Sequence, residues 1–181
     1  LFIFFYLTTV AHSTKLISYK GYYNLNLERK KNNSLLESGN GKSTYLFKKT
    51  CQGWDLKENV MISYNLINKK NAKSYSIFKS FEDFSSNNFS FEHIDKSDLS
   101  GEINYTGFIK RNKNSLIGKL IDVNVKNLKF NGNILLPSEY IIKLIDTAKA
   151  KKSFFNSDVI FASSKDNLIK KVSAFIGKKK I

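Results

Sequence analysis

From Ser18 to Lys129 apolar and polar residues alternate with a period of two. Tyr19, Gly21, Tyr23, Leu25 and Leu27 fall on one face, while Lys20, Tyr22, Asn24, Asn26 and Glu28 fall on the other, the pattern of a half-buried strand. A polar stretch, Lys30 to Gly41, reads as a hairpin loop, with the next strand over about 42–50. Val60, Ile62, Tyr64 and Leu66 share a face of a third strand that starts near Trp54. The same rhythm continues through 74–81, where Tyr75, Ile77 and Phe81 alternate, and through 88–95, where Phe89, Phe91 and His93 fall together. It goes on in 102–110 with Ile103, Tyr105 and Ile109, then in one or two strands over 116–129. Strands at this spacing with polar turns between them predict an antiparallel sandwich or barrel.

One segment departs from the rhythm. After Pro137, the apolar residues Ile141, Leu144, Ile145 and Ala148 follow the i, i+3, i+4, i+7 spacing of an amphipathic helix, predicted over about 138–150. Ser138 is the expected N-cap, Glu139 suits the positive end of the helix dipole, and Lys149, Lys151 and Lys152 suit the negative end. Residues 155–162 and 168–176 return to strand patterning. A single proline and nine glycines leave no linker-like boundary. The expected fold class is therefore mainly β: an antiparallel, half-open barrel or strongly curved sheet with one helix packed on or in it.

The first ten residues are almost wholly apolar, yet too few for a bilayer span, which takes about 20. They fit the apolar region of a secretory signal peptide, and Ala11-His12-Ser13 supplies small residues at the two positions a signal peptidase reads. The competing readings are a buried first strand or an uncleaved anchor. Residues 1–13 are thus expected to be a signal-peptide remnant that is removed, leaving one exported domain, 14–181. No other run is apolar enough to span a membrane, so the mature chain is expected to have no transmembrane segment.

A net charge of +15 rests almost entirely on lysine, because Arg29 and Arg111 are the only arginines. Lysine, asparagine and isoleucine rising together is also what a biased coding composition gives. A basic surface attracts anions such as phosphate headgroups or nucleic acid. Bidentate phosphate and base contacts favour arginine, and the lysines come as scattered pairs, so no specific nucleic-acid partner is expected.

Catalytic signatures are weak. Gly41-Lys42-Ser43 superficially matches the end of a phosphate loop, but Leu36 stands where the pattern needs glycine, and a strand follows instead of a helix. Glu82-Asp83 and Asp95 with Asp98 sit at apparent strand ends, where turn chemistry accounts for them. Cys51 is the single cysteine and His93 the only histidine outside the leader, so neither a zinc site nor a thiol nucleophile is expected. No cofactor, metal or catalytic residue is assigned, and the chain is expected not to be an enzyme. Dense aromatics, among them Tyr45, Phe47, Trp54, Phe89 and Phe91, are read first as core and second as the lining of a cavity or groove for a lipid or peptide.

Several stretches, taken in order, resemble the EipB family, the cell-envelope integrity proteins of alphaproteobacteria. The opening strand Ser18 to Leu27 is similar to that family's first strand. Gly39 to Phe47 followed by the corner Thr50-Cys51-Gln52-Gly53-Trp54 resembles its second hairpin, and Phe81-Glu82-Asp83 with Asn88 to Phe91 its next aromatic strand. Leu135-Leu136-Pro137-Ser138-Glu139-Tyr140, leading into Leu144 to Ala150 and Phe154-Phe155, resembles its Leu-Pro turn, single helix and following strand. The resemblance implies a periplasmic spiral β-barrel that supports envelope integrity, with a tetratricopeptide-repeat protein as partner. It also implies a barrel like that of lipoprotein carriers. The family bonds its corner cysteine to one near its C-terminal end. Cys51 matches the corner, its partner is absent from this chain, and the domain is therefore expected to be shortened at its C-terminal end. The Pro-Thr-x-His segment expected before the helix is reduced here to Pro137-Ser138-Glu139-Tyr140, so no role of that histidine carries over. The leading expectation is a non-catalytic scaffold or binding protein. An acyl-chain carrier and a hydrolase with an unrecognised site are the alternatives.

Overall fold

The computed structural model describes residues 16–29, 34–67 and 70–177, so the expected leader, 1–13, lies outside the described residues. The alternating half of the chain forms one eight-stranded sheet in strict sequence order. Its strands are β1 (Tyr19–Asn26), β2 (Leu36–Lys49), β3 (Gly53–Leu66), β4 (Asn71–Asp83), β5 (Asn88–Ser97), β6 (Gly101–Asn112), β7 (Ser115–Ile121) and β8 (Val125–Asn131). Every neighbouring pair is antiparallel. Among the described residues β1 and β8 pair with no further strand of this sheet, so the barrel stays half-open. There follow β9 (Ile134–Leu135), the helix α1 (Pro137–Lys149), β10 (Phe154–Ile160) and β11 (Ile169–Phe175). The last three strands make a second sheet in which β9 runs parallel to β10 and β11 antiparallel to it.

Alternation gives the large sheet an inner and an outer face, and the second sheet and helix cover only part of the inner one. Phe89 and Phe91 of β5, Tyr105 and Ile109 of β6, Leu116 and Leu120 of β7 and Leu128 of β8 pack with Ile134, Leu136, Ile160, Ala162 and Leu168 from the covering elements. That cluster is the hydrophobic core, and it sits on the β5–β8 half. Gly107 makes room for it: a Cβ there would collide with the Phe91 ring, so only glycine lets that ring lie across β6. The β1–β4 half of the inner face lacks such a cover, and Tyr19 and Tyr23 remain 45% and 50% exposed.

The structure corrects the expected elements at four places. β2 begins at Leu36, so the glycine-rich stretch 38–41 is strand and not loop. It pairs with β3 as far as Leu66, and Gly41 lies so close to the Met61 carbonyl that a Cβ would clash. In β4 the apolar set Tyr75, Ile77 and Phe81 points outward, while the inner face carries Ser76, Phe78, Ser80 and Glu82, because polar partners wait for it inside. Ser138 is not the N-cap. Leu136 takes that position with extended backbone and Pro137 opens the helix, where its missing N–H costs nothing. The helix stripe is also shallower than its periodicity suggested. Ile141, Leu144 and Ile145 are half-buried and Ala148 is exposed, since α1 docks through its first turn and through Tyr140, whose ring meets Phe155 and Phe161 at 6.0 and 5.9 Å.

Candidate functional site

Cross-strand register assembles the site. Tyr45, Glu58, Phe78, His93 and Tyr105 lie opposite one another on five successive strands and form a single row across the inner face. With Leu56, Val60 and Ser76 from the adjacent rows, and Pro137, Tyr140, Ile141 and Phe161 above them, four of this row line a cavity of about 450 Å³. The walls are mostly apolar, and the polar groups Glu58, Ser76 and His93 are set into the sheet side. Along β3 the trough continues past Val60 to Ile62 and Tyr64, where Leu25, Leu27 and Leu36 border a second hollow of about 180 Å³. The inner face of β1–β3 is thus a mostly apolar groove, bordered by the more polar inner face of β4 and roofed at one end by α1.

A chain of hydrogen bonds fixes the polar part. The Tyr105 hydroxyl donates to the Ala162 carbonyl at 3.0 Å, so it accepts from His93 Nδ1–H at 3.0 Å. His93 Nε2 then accepts from the Ser76 hydroxyl at 3.2 Å. Burial lowers the pKa of His93 below its ordinary 6.5, against the raising pull of Asp95, and so keeps the ring neutral at neutral pH. Burial likewise pushes the Tyr105 phenol far above its ordinary value. Tyr45, stacked on Tyr19 at 5.4 Å, is raised by burial first and by Tyr19 and Glu58 after it. Glu58 accepts from the Ser43 hydroxyl at 3.3 Å.

Ser76, His93 and Tyr105 have the outline of a nucleophile, base and orienting group. The third member is a neutral phenol, and the carboxylate whose charge acts on His93 is Asp95, against which burial prevails. Ser76 lies mid-strand, paired with Val60 on one side and Asp95 on the other.

The roof is pinned by a carboxylate that sequence reasoning assigned to turn chemistry. Glu82 is 3% exposed and accepts from the Ser138 N–H at 2.8 Å, the Ser138 hydroxyl at 2.5 Å and the Ser86 hydroxyl at 3.1 Å. Burial raises its pKa above the usual carboxylate value, outweighing the lowering effect of those bonds. Beside it, Arg111 donates to Glu139 at 2.6 Å and to the Ile134 carbonyl at 3.3 Å, and the Leu136 N–H donates to the same Glu139 oxygen. Alternation could have placed Glu82 on the face of Phe78, but nothing local in sequence reveals its partner 56 residues away. Asp83 and Asp98 do serve turns: Asp83 accepts from the Asn87 N–H at 2.8 Å, and Asp98 from the Lys73 N–H at 2.9 Å.

Of the aromatics singled out from sequence, Tyr45 lines the cavity. Phe47 and Trp54 stack at 4.8 Å with the Phe84 edge against Trp54, and Phe89 and Phe91 belong to the core. None of these four lines the cavity. Cys51 is an exposed free thiol on the β2–β3 corner, which Thr50 ties by accepting from the Gly53 N–H at 3.0 Å and donating to the Gly53 carbonyl. Among the described residues no three His, Cys, Asp or Glu side chains gather as a metal site, and no helix is long and apolar enough to cross a membrane.

A family described as EipB-like matches residues 10–181. Among solved structures the chain is similar to a crystal structure of a β-barrel-like protein of domain of unknown function DUF1849 from Brucella abortus. The two are 20% identical with a TM-score of 0.84, over 91% of this chain and 70% of the other. At that identity the likeness shows a shared fold. No curated protein matches the chain.

Proposed function

The chain belongs to the EipB-like family, and from that premise we propose that it is a non-catalytic binding protein of the cell envelope that acts as a scaffold through its inner groove. The proposed compartment is the periplasm, reached by removal of residues 1–13. A tetratricopeptide-repeat protein is the proposed partner. The observation that carries the reading is the roofed groove: a mostly apolar cavity of about 450 Å³, in which Ser76 is bonded to His93 and Glu58 to Ser43. Binding sites are typically concave, mostly apolar and marked by a few placed polar groups.

A second reading, a carrier that shelters an acyl chain, draws on the same groove, because Val60, Ile62 and Tyr64 extend its apolar wall toward the open end. One set of experiments separates the readings. A deletion strain should lose viability on detergent and cell-wall antibiotics and regain it with the wild-type gene. Protein purified from the envelope fraction is then examined by native mass spectrometry. A co-purifying lipid, lost in Val60→Trp, favours the carrier. Rescue by both forms with no bound lipid favours the scaffold. Ester hydrolysis that disappears in Ser76→Ala, with the fold intact, would refute both in favour of an enzyme.

A further inference from the structure

We propose that the outer face of the large sheet is a docking surface for an anionic phospholipid bilayer. Among the described residues most lysines of the large sheet lie on its outer face, with Lys49 and Lys126 on the inner one. Each of the eight strands places at least one exposed lysine on the outer face, such as Lys20 on β1, Lys48 on β2, Lys57 on β3 and Lys110 on β6. Register confirms the common side, since Lys20, Lys57 and Lys79 stand in one cross-strand row. Glu92 pairs with Lys79 at 2.7 Å and Glu102 with Lys96 at 3.2 Å, which cancels those two lysines. Asp83 caps its turn, and Asp55 stands opposite Lys48. Lys20, Lys42, Lys57, Lys110, Lys119 and Lys129 supply the excess of positive charge. Glu58, Glu82 and Asp95 point inward instead. Coding drift toward lysine would populate any exposed position. Exposed inner positions on β2 and β8 do carry Lys49 and Lys126, whereas the inner face of β1 carries tyrosine and leucine even where it is open to solvent.

The same outer face has apolar side chains between its lysines. Tyr22, Met61 and Phe108 are 70%, 52% and 48% exposed. At its β7–β8 end Ile121 and Val125 face each other on the row of Lys57 and Lys79, and Val123 at the turn between them is 96% exposed. The one charge in that turn, Asp122, is neutralised by Lys165 at 3.3 Å. Lysines around an apolar tip match a bilayer interface, where ammonium groups meet headgroup phosphates and the tip enters the acyl boundary. Nucleic acid fits less well. It offers nothing to Val123 or Met61, and Arg111, the arginine of the sheet, is tied to Glu139.

The test is co-sedimentation with vesicles of phosphatidylglycerol and phosphatidylcholine, against vesicles of phosphatidylcholine alone. The protein should sediment only with the anionic vesicles, and added salt should release it. Each lysine near the surface is worth roughly fivefold in affinity, so Lys48→Glu, Lys57→Glu and Lys110→Glu together should weaken binding by about a hundredfold or more. The same charge change at Lys143, Lys152 and Lys171, away from that face, should alter it by less than about threefold. Val123→Asp should weaken binding without changing the melting temperature, since Val123 makes no buried contact. Equal losses in the two triple variants would show a mere net-charge effect and overturn the proposal. So would sedimentation with neither vesicle, or tighter binding to duplex DNA than to vesicles.

Discussion

Replacing Glu82 tests how the helix is held over the groove. Its carboxylate is the shared acceptor for three donors: the Ser138 N–H, the Ser138 hydroxyl and the Ser86 hydroxyl. Glu82→Ala leaves these buried donors without an acceptor and should destabilise the fold by about 2–4 kcal/mol. For a domain of this size that lowers the melting temperature by roughly 5–15 °C. Glu82→Gln keeps one acceptor oxygen for the Ser138 N–H and presents an amide to hydroxyls that can rotate to accept. It should cost far less. Its sign also depends on pH. Because burial raises the folded pKa of Glu82 above the unfolded 4.5, the folded state holds the proton more tightly than the unfolded one. The Glu82 contribution is then largest below 4.5 and is lost as pH rises through the raised folded value. Urea unfolding of wild type and Glu82→Gln across mildly acid to neutral pH should therefore show the glutamine variant gaining on wild type as pH rises. A pH-independent difference, or wild type gaining with pH, would refute a net desolvation penalty and show that the helix N-terminus more than compensates the buried charge.

Trp54→Ala should destabilise by about 3–5 kcal/mol in chemical denaturation, because it leaves a cavity beneath the Phe47 and Phe84 rings. Tyr105→Phe removes both the bond to the Ala162 carbonyl and the acceptor of His93 Nδ1–H, with an expected cost of about 1–3 kcal/mol in the same assay. By NMR titration His93 should have a pKa below 6.5, and stability should fall as pH drops through that window, because the unfolded ring takes up the proton first. Cys51→Ser should leave the melting temperature unchanged, and an alkylating reagent should modify one thiol in the folded protein.

The strand order and the helix were legible because each is written locally. Period-two runs mark β1, β3, β5 and β6, and the 141, 144, 145, 148 spacing marks α1 within a residue of its observed Pro137–Lys149. What escaped depends on distant partners. The two-residue β9 has no pattern of its own and exists through its pairing with β10. Stretch 38–41 has turn composition, yet β3 recruits it into the ladder. The polarity of the inner face of β4 misleads a reading by hydrophobicity alone, because Ser76 and Glu82 find partners at His93 and Ser138 that only the folded chain brings near. For the same reason the cavity could be expected from aromatic density but not assigned. Tyr45 reaches it, while Phe47 and Trp54, two residues or one corner away, pack against each other.

Because each strand of the large sheet pairs only with its neighbours in sequence, the order in which the molecule is built follows from chain length. Hairpins such as Asn112 with Ser115 and Ser97 with Gly101 close over very short loops. The longest contacts that seat the second sheet and helix join residues 56 and 57 apart, Glu82 with Ser138 and Tyr105 with Ala162, beyond the shorter span of Arg111 with Glu139. Closing loops of that length costs about 2 kcal/mol more than closing a tight turn. Hairpins should therefore zip early and quickly, and the roof should settle last. The same asymmetry runs in reverse under native conditions. Amides of α1 should exchange with solvent through an opening that leaves the β5–β6 ladder intact, which makes the roof the part that can lift while the barrel wall stays folded.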